Sequence, residues 1–204
     1  MKCPDLKLIL LRHAEAASNA EKRLNSPEDA LTEQGKLQAK SISVKLADFK
    51  ITKIITSDEN RAKSTAEIIS KTIKCPISEN ALIREKSSGE FAGRLVSSID
   101  WAPINANPDF YTKKLPSGES VNDVINRAKQ FIDLLAKETG TVLVVTHSSF
   151  IRIILGLIFN QDIKNLLLNM EIPNCGYVIL NRKENQWVIE ETSFANETFR
   201  TKNS

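Results

Sequence analysis

The sequence predicts an α/β protein built on a mostly parallel central sheet, and three observations predict it. Short, continuous aliphatic runs recur along the chain, as in Leu6–Leu11 and Thr141–Thr146. Such runs read as strands covered on both faces. Between them lie stretches with apolar residues at helical spacing. The strand–helix alternation is what parallel sheets require, because parallel neighbours need a crossover between them.

Taken in order, Leu6–Leu11 is the first strand, and a polar loop follows it. Thr32 is placed to cap a helix running to about Phe49, with Leu37, Ile42, Val44, Leu46 and Phe49 as its apolar stripe. Lys53–Thr56 is the second strand. Glu59–Ile73 then carries Ala62, Ala66, Ile69 and Ile73 at helical spacing. The segment 84–116 breaks the rhythm with Gly89, Gly93, Pro103, Pro108 and Pro116 among Trp101, Phe110 and Tyr111. It predicts an irregular insertion with one short helix, its aromatics forming local core. Ser120 and Asp123 form a capping-box pattern ahead of a helix to about Glu138, whose apolar face is Val121, Val124, Ile125, Ala128, Ile132 and Leu135. Thr141–Thr146 is the third buried strand, and Ser148–Phe159 the helix after it. Two runs near the C-terminus, GYVILNR and QWVIEET, read as antiparallel edge strands, and the tail from Asn196 as polar and frayed.

Composition narrows the function. The chain has 204 residues, 41% hydrophobic and 26% charged, with 28 basic against 25 acidic residues. The lysines are scattered, so nothing indicates a nucleic-acid stripe. FIRIILGLIF is too short to span a bilayer and carries Arg152, so no membrane partner is expected. Cys3, Cys75 and Cys175 lie far apart, which predicts reduced thiols and a cytoplasmic location. No metal-ligand spacing occurs, and no cofactor is expected.

The chemistry concentrates where strands end. Only two histidines exist, His13 and His147, and each directly follows an apolar run. Arg12 precedes the first, and Arg61 begins the helix after the second strand. In open α/β sheets the ligand crevice lies beyond the carboxyl ends of the strands. Two histidines and two arginines converging there suit a phosphoryl group, because arginine binds phosphate oxygens as a planar fork. Each residue alone has an ordinary structural explanation; the joint pattern points to a site.

These segments resemble the histidine phosphatase superfamily, the phosphoglycerate mutase-like proteins. LLRHAEAASN resembles the family's first signature, and TSDENRAKSTAEII its second arginine motif. LIREKSSGEFAG resembles the acid segment, PSGESVNDVINR the block after it, and VLVVTHSSFIR the second histidine motif. NAEKRLNSPEDALTEQGKLQA resembles the segment following the first signature. The motifs stand in the family's order from about Leu6 to Arg152. The resemblance implies a single domain over residues 1–204, a three-layer α/β/α sandwich with a mostly parallel sheet and a small irregular cap at about 84–116. It implies His13 as nucleophile, Glu85 as proton donor, His147 as the charge-neutralising partner, and Arg12, Asn19 and Arg61 as phosphate ligands. Expected are a metal-independent phosphomonoesterase and a phosphorylated small molecule as its substrate. The alternatives are a cofactor-dependent phosphoglycerate mutase and a non-catalytic phospho-ligand-binding protein. The short stretch from Glu85 to Pro116, without an arginine cluster for a second phosphate, favours hydrolysis. Ala14 stands where the family has glycine, LNSPED lacks a glycine, and Ser148-Ser149 replaces a glycine pair.

Overall fold

The computed structural model describes residues 4–106 and 108–194. Cys3 and the tail from Asn196 therefore lie outside the described residues. In chain order the elements are β1 (Leu6–Arg12), α1 (Ala17–Ala20), α2 (Glu33–Leu46), β2 (Lys53–Thr56), α3 (Asn60–Ile73) and β3 (Ile77–Glu79). They continue with α4 (Ala102–Asn105), α5 (Val121–Leu135), β4 (Gly140–Thr146), α6 (Ser148–Phe159), α7 (Ile163–Asn169), β5 (Tyr177–Lys183) and β6 (Gln186–Thr192).

The six strands form one sheet in the order β3-β2-β4-β1-β5-β6. β3, β2, β4 and β1 run parallel, and β5 is antiparallel to both β1 and β6. Successive side chains of a strand face opposite ways. Leu8 and Leu10 of β1 accordingly join Val142, Val144, Phe131 and Phe150 in one core, under α5, α6 and α7. Ile9 and Leu11 join Leu143, Val145, Ala66 and Ile69 in the other, under α2 and α3. This is the expected three-layer sandwich, and it explains why β1 and β4 read as unbroken aliphatic runs.

Several expectations need correcting. β5 lies inside the sheet, between β1 and β6, so only β6 of the C-terminal pair is an edge. β3 has no sequence signal, because its three residues are all exposed and carry no burial pattern. α7 is a further element beyond those the sequence predicts. The expected stripe of α2 holds in part: Leu46 is buried and Ile42 and Phe49 pack against the core, but Leu37 and Val44 are exposed. The rest of the buried face is Gly35, Ala39 and Ser43, small residues that leave no large-apolar period. A Cβ on Gly35 would come within 2.0 Å of the Glu15 carbonyl oxygen, so glycine is what lets α2 approach the loop beyond His13. Thr32 caps α2 as expected, accepting from the Gly35 N–H at 2.9 Å. Its hydroxyl also donates to Glu15 Oε1.

The segment 84–116 holds two single 3₁₀ turns and α4 and is otherwise irregular. Ser120 and Asp123 make the capping box at the start of α5. Cys75 and Cys175 are free thiols, and burial pushes the Cys175 thiol up to about 12. Among the described residues, no helix is long and apolar enough to cross a membrane.

Candidate active site

β1 and β4 are neighbours in parallel register, with Arg12 beside Thr146. The residues immediately after them, His13 and His147, therefore emerge side by side, and their ring centroids are 5.1 Å apart. His13 is 1% exposed, and His147 and Arg61 are 0% exposed. The His13 backbone is pinned by its N–H to the Thr146 carbonyl, and its own carbonyl accepts from Cys175 N–H and Asn174 Nδ2.

The tautomer of His13 follows from one contact. Its Nδ1 lies 2.7 Å from the Ala14 carbonyl oxygen, which can only accept. Nδ1 carries the proton, and the lone pair sits on Nε2. Burial, then the neighbouring His147, Arg61 and Arg12, push the His13 pKa well below its ordinary value, so the ring is neutral at pH 7. Ala14, where glycine was expected, does not occupy the left-handed region, so its methyl is unstrained; its N–H donates to Thr65 Oγ1.

Arg61, from the first turn of α3, fills the space between the two imidazoles. Its Nε donates to His13 Nε2 at 3.2 Å, and its Nη2 to His147 Nδ1 at 3.1 Å. Nη1 donates to the Ser26 carbonyl, and Nη2 also to Glu59 Oε2 at 3.1 Å. Because His147 Nδ1 accepts, Nε2 carries the proton; it lies 2.8 Å from Glu59 Oε2 but off the line of a hydrogen bond. Burial lowers the His147 pKa more strongly than Glu59 raises it, so this imidazole too is neutral at pH 7.

Glu59 is the residue that sequence reasoning missed. It caps α3 two positions before Arg61, and its Oε2 also accepts from the Glu85 N–H at 2.9 Å. Burial pushes its carboxyl up, but His147, Arg61 and the Glu85 amide outweigh that and hold it at about 2. Its position in the strand-to-helix turn was the available signal.

Glu85 follows a 3₁₀ turn, Ala81–Ile83, and is buried. Its Oε1 accepts from Lys86 N–H and its Oε2 from Ser149 N–H, in the first turn of α6. Burial pushes its carboxyl upward, but His147, the Lys86 and Ser149 amides and Arg61 prevail and hold it below its ordinary value.

Arg12 donates through Nη1 to the Ile172 carbonyl, while its Nε is buried with no hydrogen-bond partner. Arg12, Asn25, Glu85, Ser149 and Arg152 line a cleft of about 1120 Å³. Arg152, at the end of the second histidine motif, is a further cation at this cleft. It lies one helical turn after Ser148, donates to Ser148 O and Oγ, and so faces the same cleft. Asn19 stands apart from this group. Its Oδ1 accepts from Ala16 N–H and Asn174 Nδ2, and it reaches His13 only through Asn174. Among the described residues, no group of three or more His, Cys, Asp or Glu could hold a metal ion.

The arrangement offers a buried neutral imidazole, forked cations beside it, and a carboxyl at the cleft wall. Comparison with known proteins gives the same direction. A probable phosphoglycerate mutase, GpmB, of Klebsiella pneumoniae subsp. pneumoniae is 30% identical over 199 residues, spanning 91% of each chain. A putative alpha-ribazole-5'-P phosphatase from Escherichia coli K-12 superposes with a TM-score of 0.82 at 17% identity, over 92% of this chain and 95% of that one. A mycobacterial glucosyl-3-phosphoglycerate phosphatase gives 0.78 at 21%, over 91% and 97%. The family model of the histidine phosphatase superfamily (branch 1) matches residues 8–194, and the chain belongs to that superfamily, whose members are phosphatases or mutases.

Proposed function

We propose that the protein is a metal-independent phosphomonoesterase that works through a phosphohistidine on His13. The observation that carries this is the Nδ1–H contact to the Ala14 carbonyl, which leaves the Nε2 lone pair as nucleophile. An incoming phosphate ester takes over the Arg61 Nε–H from His13 Nε2. It also satisfies Arg12 Nε, a buried donor that has no partner. Asn19 could add only its Nδ2 donors, since its oxygen is already engaged.

His13 Nε2 then attacks phosphorus. The N–P bond forms as the P–O bond to the alcohol breaks, and Glu85 delivers its proton to the departing oxygen. Glu85 alone is held below its ordinary pKa, so in this scheme the bound dianion raises it and draws in that proton. In the second half, Glu85 as carboxylate takes a proton from water, the water oxygen attacks phosphorus, and the N–P bond breaks. Phosphate and neutral His13 are regenerated. His147, braced between Arg61 and Glu59, holds the Arg61 guanidinium against the transferring group as it flattens. A loose transition state asks mainly for such positioning and charge.

The test is a quenched reaction with a phosphate monoester. Wild type should yield an acid-labile, base-stable phosphoenzyme that His13→Ala lacks, with turnover unaffected by EDTA. Near-wild-type turnover in His13→Ala would remove the nucleophile from this scheme. The mutase reading rests on the name of the Klebsiella relative. It would gain if 3-phosphoglycerate with trace 2,3-bisphosphoglycerate were isomerised faster than phosphate is released.

A further inference from the structure

Beside the phosphate cleft lies a second cavity of about 410 Å³. The two share Asn25, Glu85, Ser149 and Arg152, so the cavity opens beside the carboxyl that faces the leaving oxygen in the proposed scheme. This volume falls within the range that holds small-molecule ligands. We infer that this cavity receives the alcohol part of the substrate, and that the alcohol is an apolar, ring-bearing group and not a polyol or a glycerate. The inference rests on the phosphomonoesterase reading and names its substrate class.

The walls carry the argument. Trp101 and Ile104 come from α4 and its approach, Phe110 from the loop after it, Ile153 from α6, and Leu167 and Leu168 from α7. The insertion thus contributes one side and the α6–α7 pair the other. Trp101 spends its only polar atom elsewhere, donating Nε1–H to the Val96 carbonyl at 3.3 Å. Leu168 is 62% exposed although it lines this cavity, an apolar surface that an apolar ligand would take from water.

Several of the polar groups around the cavity are already engaged. Lys86 Nζ turns back to the Glu119 carbonyl at 3.2 Å. Asn25 Oδ1 accepts from Ser18 Oγ at 3.1 Å. Lys113 has an interaction of its own, and Lys114 is exposed. A polyol placed here would lose water from each hydroxyl and find few partners in exchange. A ring would find matching apolar surface on both sides.

Steady-state kcat/KM for 2-phenylethyl phosphate should exceed that for glycerol 3-phosphate by about 100-fold, the discrimination typical of an apolar pocket. Ile104→Ser and Leu168→Ser change partly exposed positions that the fold should tolerate. Each should reduce that ratio by about tenfold. A ratio near one, or 3-phosphoglycerate as the better substrate, would overturn the inference, because rim lysines would then outweigh the apolar walls. An unchanged ratio in both variants would do the same.

Hydrolysis and pocket can fail separately. If no ester releases phosphate, the hydrolase reading falls, and titration calorimetry decides the pocket. Tighter binding of 2-phenylethylphosphonate than of 2,3-dihydroxypropylphosphonate would keep the apolar assignment. Equal or reversed affinities would overturn it.

Discussion

At the scale of one side chain, Glu85 is drawn in two directions. Burial favours its proton; His147, Arg61 and the Lys86 and Ser149 amides favour its charge, and they win. A phosphate dianion reverses the balance by adding like charge. Glu85→Gln removes the donor while keeping the shape. An alkyl phosphate needs a proton on its leaving oxygen, whereas p-nitrophenolate leaves without one. Single-turnover phosphorylation by an alkyl phosphate should therefore fall by about 100-fold or more in Glu85→Gln. The p-nitrophenyl ester should lose far less. Equal losses would move the acid role to another group, and Glu90, in the same segment, would be examined next. Glu90 is exposed and bonded to Ser117, which already disfavours it.

At the scale of elements, Glu85 owes its position to α5. Arg127 on that helix donates Nη1 to the Leu82 and Arg84 carbonyls and Nη2 to the Glu85 carbonyl. Its Nε and Nη2 also pair with the Glu119 carboxylate. One guanidinium thus fixes both the backbone that aims the acid and the turn before α5. Arg127→Lys keeps the charge and loses the fork. It should lower kcat/KM for an alkyl phosphate by about tenfold, with a smaller loss on p-nitrophenyl phosphate. A uniform fall on both substrates would mark Arg127 as structural only. The strand-end histidines and Arg61 were legible in the sequence because burial on both faces makes β1, β2 and β4 conspicuous. Arg127 and Glu59 were not, since each reads as an ordinary helix or cap residue until the chain closes around it. α2 was only partly legible for a related reason: beside Leu46, its buried face is made of Gly35, Ala39 and Ser43, which carry no hydrophobic signal.

At the scale of the whole molecule, the site makes stability depend on pH. His13 and His147 are neutral in the fold with pKa values below the ordinary 6.5. The unfolded chain therefore binds more protons, and stability should fall as pH drops below about 6.5. Glu59, at about 2 against an ordinary 4.5, stabilises the fold above 4.5 and loses that contribution as pH falls toward 2. Urea unfolding at pH 7, 5 and 4 should show both losses in wild type. Glu59→Gln should be less stable at pH 7 by on the order of 2–3 kcal/mol, with a shallower decline below pH 5. Stability that stays level between pH 7 and 5 would show that the imidazoles are not held neutral by burial. The contact from Arg61 Nε to His13 Nε2 has a further consequence. An imidazole whose lone pair is already shared, and which is almost wholly enclosed, is a poor target for stray electrophiles. Only a ligand able to draw the guanidinium onto its own oxygens exposes that nitrogen. On the proposed scheme, the protein without its substrate is thus shielded from adventitious acylation or alkylation at that atom, and the group that arms the nucleophile is the phosphate it is about to receive.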